Sequence, residues 1–127
     1  MTGTLIREAL LASIPMLEEA QRAKRRGETG TAAAAALQEL EAHGAIFSID
    51  ADGKQLYPRF QFDVHFEALP SMTEILAQVP RSARSWPLLS WLNARNVLLA
   101  GRRPADLVSE QPTAVCRAAR QFYSIAD

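Results

Sequence analysis

From Thr4 the apolar residues Ile6, Leu10 and Leu17 recur at spacings of four and seven, which predicts an amphipathic helix with one buried stripe. Pro15 disfavours helical backbone at Ile14 and has no N–H to donate. The segment is therefore expected in two pieces, the second capped near Ser13 and running to Arg26. Gly27 and Gly30 should end it. Thr31 precedes five alanines and a Leu37-x-x-Leu40 step, a second, close-packing helix that should stop at Gly44. Ala45 to Ile49 and Gln55 to Phe62 then flank Asp50-Ala51-Asp52-Gly53, a pattern that predicts a β-hairpin closed by Asp-Gly. Pro58 must lie on an edge or at a strand end, because it cannot donate to a ladder.

Beyond Pro70 the pattern turns helical again. Ser71-Met72-Thr73-Glu74 reads as a capping box ahead of Ile75, Leu76 and Val79, with Pro80 as the stop. Ser85 is expected to cap the next helix, with Trp86 and Pro87 in its first turn. Leu88, Leu89, Trp91, Leu92, Leu98 and Leu99 would supply its bulk, with Asn93 and Asn96 as midway break points and Gly101 as the end. Pro104 suits the first position of a short turn holding Leu107 and Val108, and Ser109 with Pro112 restarts a final helix. There Val115, Ala118, Ala119, Phe122 and Ala126 fall on one apolar face.

These elements predict a mainly α fold: residues 1–63 as a helical region with a β-hairpin, of the winged or helix-turn-helix kind, and residues 64–127 as a small C-terminal helical domain. The 127 residues bound the chain to one modest core or to a domain with an appendage, and exclude a multi-domain enzyme. Lys and Arg number 14 against 14 Asp and Glu, so no whole-protein basic field gathers nucleic acid or anionic lipid. The first 63 residues hold 7 basic and 9 acidic side chains and the rest 7 and 5, which leaves the second half slightly basic. Arg7, Glu8, Glu18 and Glu19 interrupt the apolar run at the start, so neither a signal peptide nor a spanning helix is expected. The lone Cys116 forms no internal disulfide, and a cytoplasmic protein is the expectation.

Little here resembles catalytic chemistry. His43 and His65 have no acidic or hydroxyl partner at triad spacing, Cys116 reads as a buried and inert thiol, and Gly101-Arg102-Arg103-Pro104 lacks the glycine spacing of a phosphate loop. No cofactor, no metal and no enzymatic activity are expected. Arg22, Lys24, Arg25 and Arg26 close the first helical segment, where positive charge complements the helix dipole; the alternative role is a set of DNA phosphate contacts. Between Thr31 and His43 there is no Lys or Arg, which argues against a base-reading helix there. Trp86 and Trp91 read first as core residues, whereas Arg102 and Arg103 are expected to be exposed and open to an acidic partner.

Trp91-Leu92 followed by Asn96-Val97-Leu98-Leu99-Ala100-Gly101-Arg102-Arg103-Pro104-Ala105-Asp106-Leu107-Val108 resembles the toxin-binding domain of Xre/MbcA/ParS-type antitoxins, with its W-L and N-x-x-L-x-G-x-x-P-x-(D/E)-L signature. Leu56-Tyr57-Pro58-Arg59-Phe60-Gln61-Phe62 also resembles the Y-P-x-F-Q-F element that stands ahead of this domain in bacterial proteins. The resemblance spans roughly residues 71–127. It implies a bacterial antitoxin of a type II toxin–antitoxin system, self-associating, whose partner is a RES-domain toxin that degrades NAD and is blocked at its active site. Many members also regulate their own transcription through an N-terminal helix-turn-helix, but the first 63 residues here do not match an Xre-type reader. Trp91, Asn96, Gly101, Pro104 and Asp106 then specify the fold, and Arg102, Arg103, Arg117, Arg120 and Tyr123 are the expected toxin-facing set. The rival expectation is a DNA-binding transcriptional regulator with the hairpin as a wing.

Overall fold

A computed structural model describes residues 2–124. Among these residues the chain forms seven α-helices and a three-stranded antiparallel sheet, so the fold is mainly helical. Ala126 lies outside the described residues. No described helix is long and apolar enough to cross a membrane.

Helix α1 (Thr2–Ser13) stops ahead of Pro15, but the chain does not restart as a helix at Ser13. Strand β1 (Met16–Glu18) comes first, and only then α2 (Glu19–Arg26). The extended backbone that Pro15 imposes carries on into a strand because Met16, Leu17 and Glu18 find Pro58, Tyr57 and Leu56 as antiparallel partners. Glu18 is the actual N-cap of α2, its N–H donated to Gln21 Oε1 at 2.8 Å. Gly27, at φ 69°, closes α2 as expected, whereas Gly30 opens α3 (Gly30–Ala42) instead of ending its predecessor. Gly44 ends α3 at φ 72°, with the Ala45 N–H on Leu40 O.

The hairpin is present with a tighter turn: β2 (Ile49–Ala51) and β3 (Lys54–Pro58) are joined by Asp52 and Gly53, both at positive φ. Asp50 Oδ1 accepts the Gly53 N–H at 2.8 Å. Addition of β1 makes β3 the central strand, and Pro58 is tolerated there because it is the last residue. Helix α4 (Pro70–Leu76) uses Pro70 as its first residue, so Ser71 lies inside it and forms no capping box. The Ser71 hydroxyl instead donates to Val108 O at 3.2 Å. Arg84 satisfies carbonyls at and just beyond the end of α4, donating to Leu76 O and Val79 O at 2.8 and 3.0 Å.

Helix α5 (Trp86–Asn93) ends at the first of the two expected breaks, α6 (Pro104–Leu107) starts on Pro104, and α7 (Pro112–Ser124) on Pro112. The larger core cluster crosses the 63/64 position: Leu10, Ile14, Phe47 and Ile49 pack with Met72, Leu76, Leu89 and Val115. A smaller cluster gathers Leu17, Leu37, Ile46, Tyr57 and Phe62. Gln61, fully buried, lies where the two meet. Its Oε1 accepts the Phe47 N–H at 2.8 Å, and its Nε2 donates to Phe47 O at 2.9 Å and to Pro58 O at 3.3 Å. Gln61→Leu strands the Phe47 N–H and C=O away from water, and is expected to cost about 2–5 kcal/mol in chemical denaturation. A variant with an unchanged midpoint would show that these bonds are replaceable.

Candidate functional site

The segment between α5 and α6 is built around Asn96. Its N–H donates to Arg102 O at 3.1 Å, its carbonyl accepts the Leu99 and Gly101 N–H groups at 3.0 and 2.9 Å, and its side-chain oxygen accepts the Leu98 N–H at 2.9 Å. Ala100 and Gly101 stand at φ 57° and 80°, which lets the chain double back so sharply that residues 97–99 form a single 3-10 turn. The consequence is a projecting tip. Leu99 folds inward at 6% exposure, while Val97 and Leu98 stand out at 89% and 52%. The expectation that Leu98 adds bulk to a helix is therefore corrected: α5 has already ended at Asn93, and Leu98 faces solvent.

Arg103 braces this loop. Its Nε and Nη2 donate to the two carboxylate oxygens of Asp106 at 2.9 and 2.8 Å, and its Nη1 donates to Asn93 Oδ1 at 2.7 Å, linking the end of α5 to α6. The bonds from Arg103 hold the Asp106 carboxyl below the usual carboxylate range, and those to Asp106 raise the Arg103 pKa. Arg103, which the sequence led us to expect open to an acidic partner, is in part committed to Asp106 and Asn93 within the chain. Three of its five N–H groups are engaged within the chain. Pro104 opens α6 and is buried, so Asn96, Gly101, Pro104 and Asp106 all have structural roles.

The remaining expected contact residues do not share one cleft. Arg102 is half-exposed, with Glu110 at 3.9 Å. Arg117, Arg120 and Tyr123 line the seam between α4 and α7. A cleft of about 470 Å³ is walled there by Glu74, Gln78, Cys116, Arg117 and Arg120, and Tyr123 borders a second hollow beyond it. Arg117 is exposed; Arg120 donates to Gln78 Oε1 at 3.2 Å. Cys116 is half-buried on the cleft wall, with Glu74 O at 3.6 Å, rather than fully enclosed. Burial pushes the Tyr123 hydroxyl pKa up.

Tyr123 belongs to an aromatic group. Its ring is edge-on to Phe122 at 4.9 Å, and Trp91 lies 5.9 and 6.1 Å from the two. Trp91 is half-buried against the core and not enclosed by it, and Phe122, placed by periodicity on the buried face, is 53% exposed. Val115, Ala118 and Ala119 do bury, so the apolar face of α7 outlasts the core it covers by one turn. Trp86 is also half-buried, its indole N–H on Asp50 O at 3.1 Å and the Arg7 guanidinium 4.8 Å from its ring centre. Val97 and Leu98 escaped the sequence reading; the signal for them was the Asn93 and Asn96 breaks, which leave two apolar residues on a loop.

The basic cluster divides. Arg22 is 3% exposed, donates from Nε to Phe66 O at 3.0 Å and sits 5.6 Å from the Phe62 ring centre, so it cannot be a phosphate contact. Burial lowers its pKa, and Glu28 at 3.6 Å offsets only part of that shift. Arg26 is paired with Glu28 at 2.6 Å, while Lys24 and Arg25 face solvent. His43 and His65 are exposed. No group of three or more His, Cys, Asp or Glu able to hold a metal ion occurs among the described residues.

The chain matches no protein-family model, no curated protein and no solved structure.

Asp106, its pKa depressed by folding, stabilises the fold above the unfolded carboxylate value of about 3.9, and that contribution is lost as pH falls through the depressed value. The wild type should therefore lose its advantage over Asp106→Asn as pH falls below about 4 in urea titrations, by under about 1 kcal/mol because the carboxylate is nearly half-exposed. A gap constant with pH would remove the ion pair from the account.

Proposed function

We propose that this chain is the antitoxin of a type II toxin–antitoxin pair, and that it neutralises a RES-domain, NAD-degrading toxin by binding it and covering the mouth of its active site. The observation that carries the reading is the braced Asn96–Asp106 loop. The residues that resemble the antitoxin signature hold Val97 and Leu98 outward on a braced tip, beside a helix whose last turn carries exposed Phe122. Apolar and aromatic side chains concentrated on a rigid surface with arginines at its rim are the composition that carries most energy in protein interfaces. Arg102, Arg117 and Arg120 fit the rim, where charge speeds encounter and orients the partner more than it adds affinity. Inhibition by occlusion asks for no catalytic group, cofactor or metal.

A winged reader of duplex DNA has less behind it. Arg22 faces inward, Arg26 is held by Glu28, and α3 carries no Lys or Arg.

Co-expression with the product of the adjacent gene should relieve that product's growth arrest, preserve cellular NAD and yield a complex that co-purifies. Val97→Asp combined with Leu98→Asp should keep the helical circular dichroism and thermal midpoint, yet weaken capture about 30-fold or more, the loss of one or two strong contacts. Rescue and capture by the double variant at wild-type strength would overturn this surface, and failure of the wild type to rescue or co-purify would overturn the antitoxin reading.

A further inference from the structure

The end of α2, strand β1 and the 59–67 segment form a face that the proposed toxin contact does not use. Lys24 and Arg25 are exposed there, and neither takes part in an ion pair among the described residues. With Gln21, Arg59 and Phe66 they line a cleft of about 640 Å³ that has no acidic residue in its wall. A second cleft of about 440 Å³ is lined by Arg26, His65 and Glu67, and Arg25 and Phe66 line this one too. Phe66 and Arg25 are therefore the ridge between two hollows.

Phe66 holds this position under strain. It stands at φ 63°, a conformation that bulky L residues rarely adopt and that costs of order 1–3 kcal/mol. The surrounding loop over-determines it. The Asp63 carboxylate accepts the N–H groups of His65 and Glu67 at 2.8 and 3.0 Å, Asp63 O accepts the Phe66 N–H at 3.0 Å, and Phe66 O accepts from the buried Arg22. Glycine or asparagine would fill this turn at less cost. What the aromatic residue adds is its ring, which has the Arg59 guanidinium 4.3 Å and the Arg25 guanidinium 5.9 Å from its centre. Arg59 is itself fixed, donating to Phe62 O and Asp63 O at 2.9 and 3.1 Å. The result is a ridge in which Arg59 covers the Phe66 ring and Arg25 lies near it, with Lys24 and Arg25 outside any ion pair among the described residues on one flank.

We propose that this face binds single-stranded nucleic acid, with phosphates on Lys24, Arg25 and Arg59 and unpaired bases stacking along the Phe66–Arg25 ridge. Stacking platforms flanked by a positive groove suit single strands, because every unpaired base offers a face and every nucleotide a phosphate. A duplex hides those faces and is read by an element projecting into its groove, which these two concave hollows do not supply.

Fluorescence anisotropy of the whole chain with a labelled oligothymidine of about 12 nucleotides, and with a duplex of the same length, tests this. The expected result is binding to the single strand, weaker for the duplex, with a log–log salt slope of about −2 for three phosphates. Lys24→Glu and Arg25→Glu alter exposed side chains and should each weaken binding roughly tenfold and flatten that slope. Phe66→Leu should weaken binding with the slope retained; if that variant fails to fold, the two charge reversals carry the test. Absence of binding at low salt, affinity unmoved by either reversal, or tighter binding of the duplex would each overturn the proposal.

Discussion

The fold depends on one buried side-chain amide. Gln61 bonds to both the N–H and the C=O of Phe47 and to the carbonyl of Pro58, so it does for residue 47 what a neighbouring strand would do. This matters because Phe47 belongs to the larger core, while its neighbour Ile46, with Tyr57 and Phe62, belongs to the smaller one. Asparagine is one methylene too short to make the same bonds, and glutamate would bury a charge and lose the donor. With Phe47 pinned, the hairpin, the 59–61 turn and α4 take up fixed positions around it. The helical C-terminal half therefore rests on a core to which the N-terminal half contributes Leu10, Ile14 and Ile49.

That shared core gives the far end of the molecule its stiffness. Leu92 and Leu99 are buried on either side of the loop whose tip they anchor, and Arg103 ties the loop across to Asn93 and Asp106. A partner meeting Val97 and Leu98 would find them already in place, with little conformational entropy left to lose, which is what distinguishes a docking surface from an apolar loop. The signature that resembles the antitoxin domain is thus mostly scaffold. The residues free to make contact are Val97, Leu98 and Arg102, at variable positions within it, and Arg117, Arg120 and Phe122, which lie beyond it.

Helix ends in this chain were readable because glycine and proline mark them by local sterics: Gly27 and Gly44 at positive φ, Pro104 and Pro112 at first helical positions. Asp52-Gly53 marked the hairpin for the same reason. Strand β1 was not readable, since three residues carry no periodicity and its pairing with β3 is decided some forty positions away. The candidate sites suffered from the same non-locality. Arg22 looks like its exposed neighbours until the Phe66 carbonyl arrives from a distant loop, and Arg103 looks free until Asn93 and Asp106 converge on it. Gln61 is polar and gives no sign of full burial, and nothing in the residues around Phe66 announces that it bends into a left-handed turn.

The claim that the braced tip and the end of α7 form the partner surface is tested most directly by amide hydrogen exchange of the chain alone and in complex with the co-purified toxin. Exchange should slow on binding in residues 96–102 and 117–124 and stay unchanged in residues 16–26 and 59–67. Protection confined to residues 16–26 and 59–67, with residues 96–102 exchanging as in the free chain, would place the toxin on the opposite face and contradict the account.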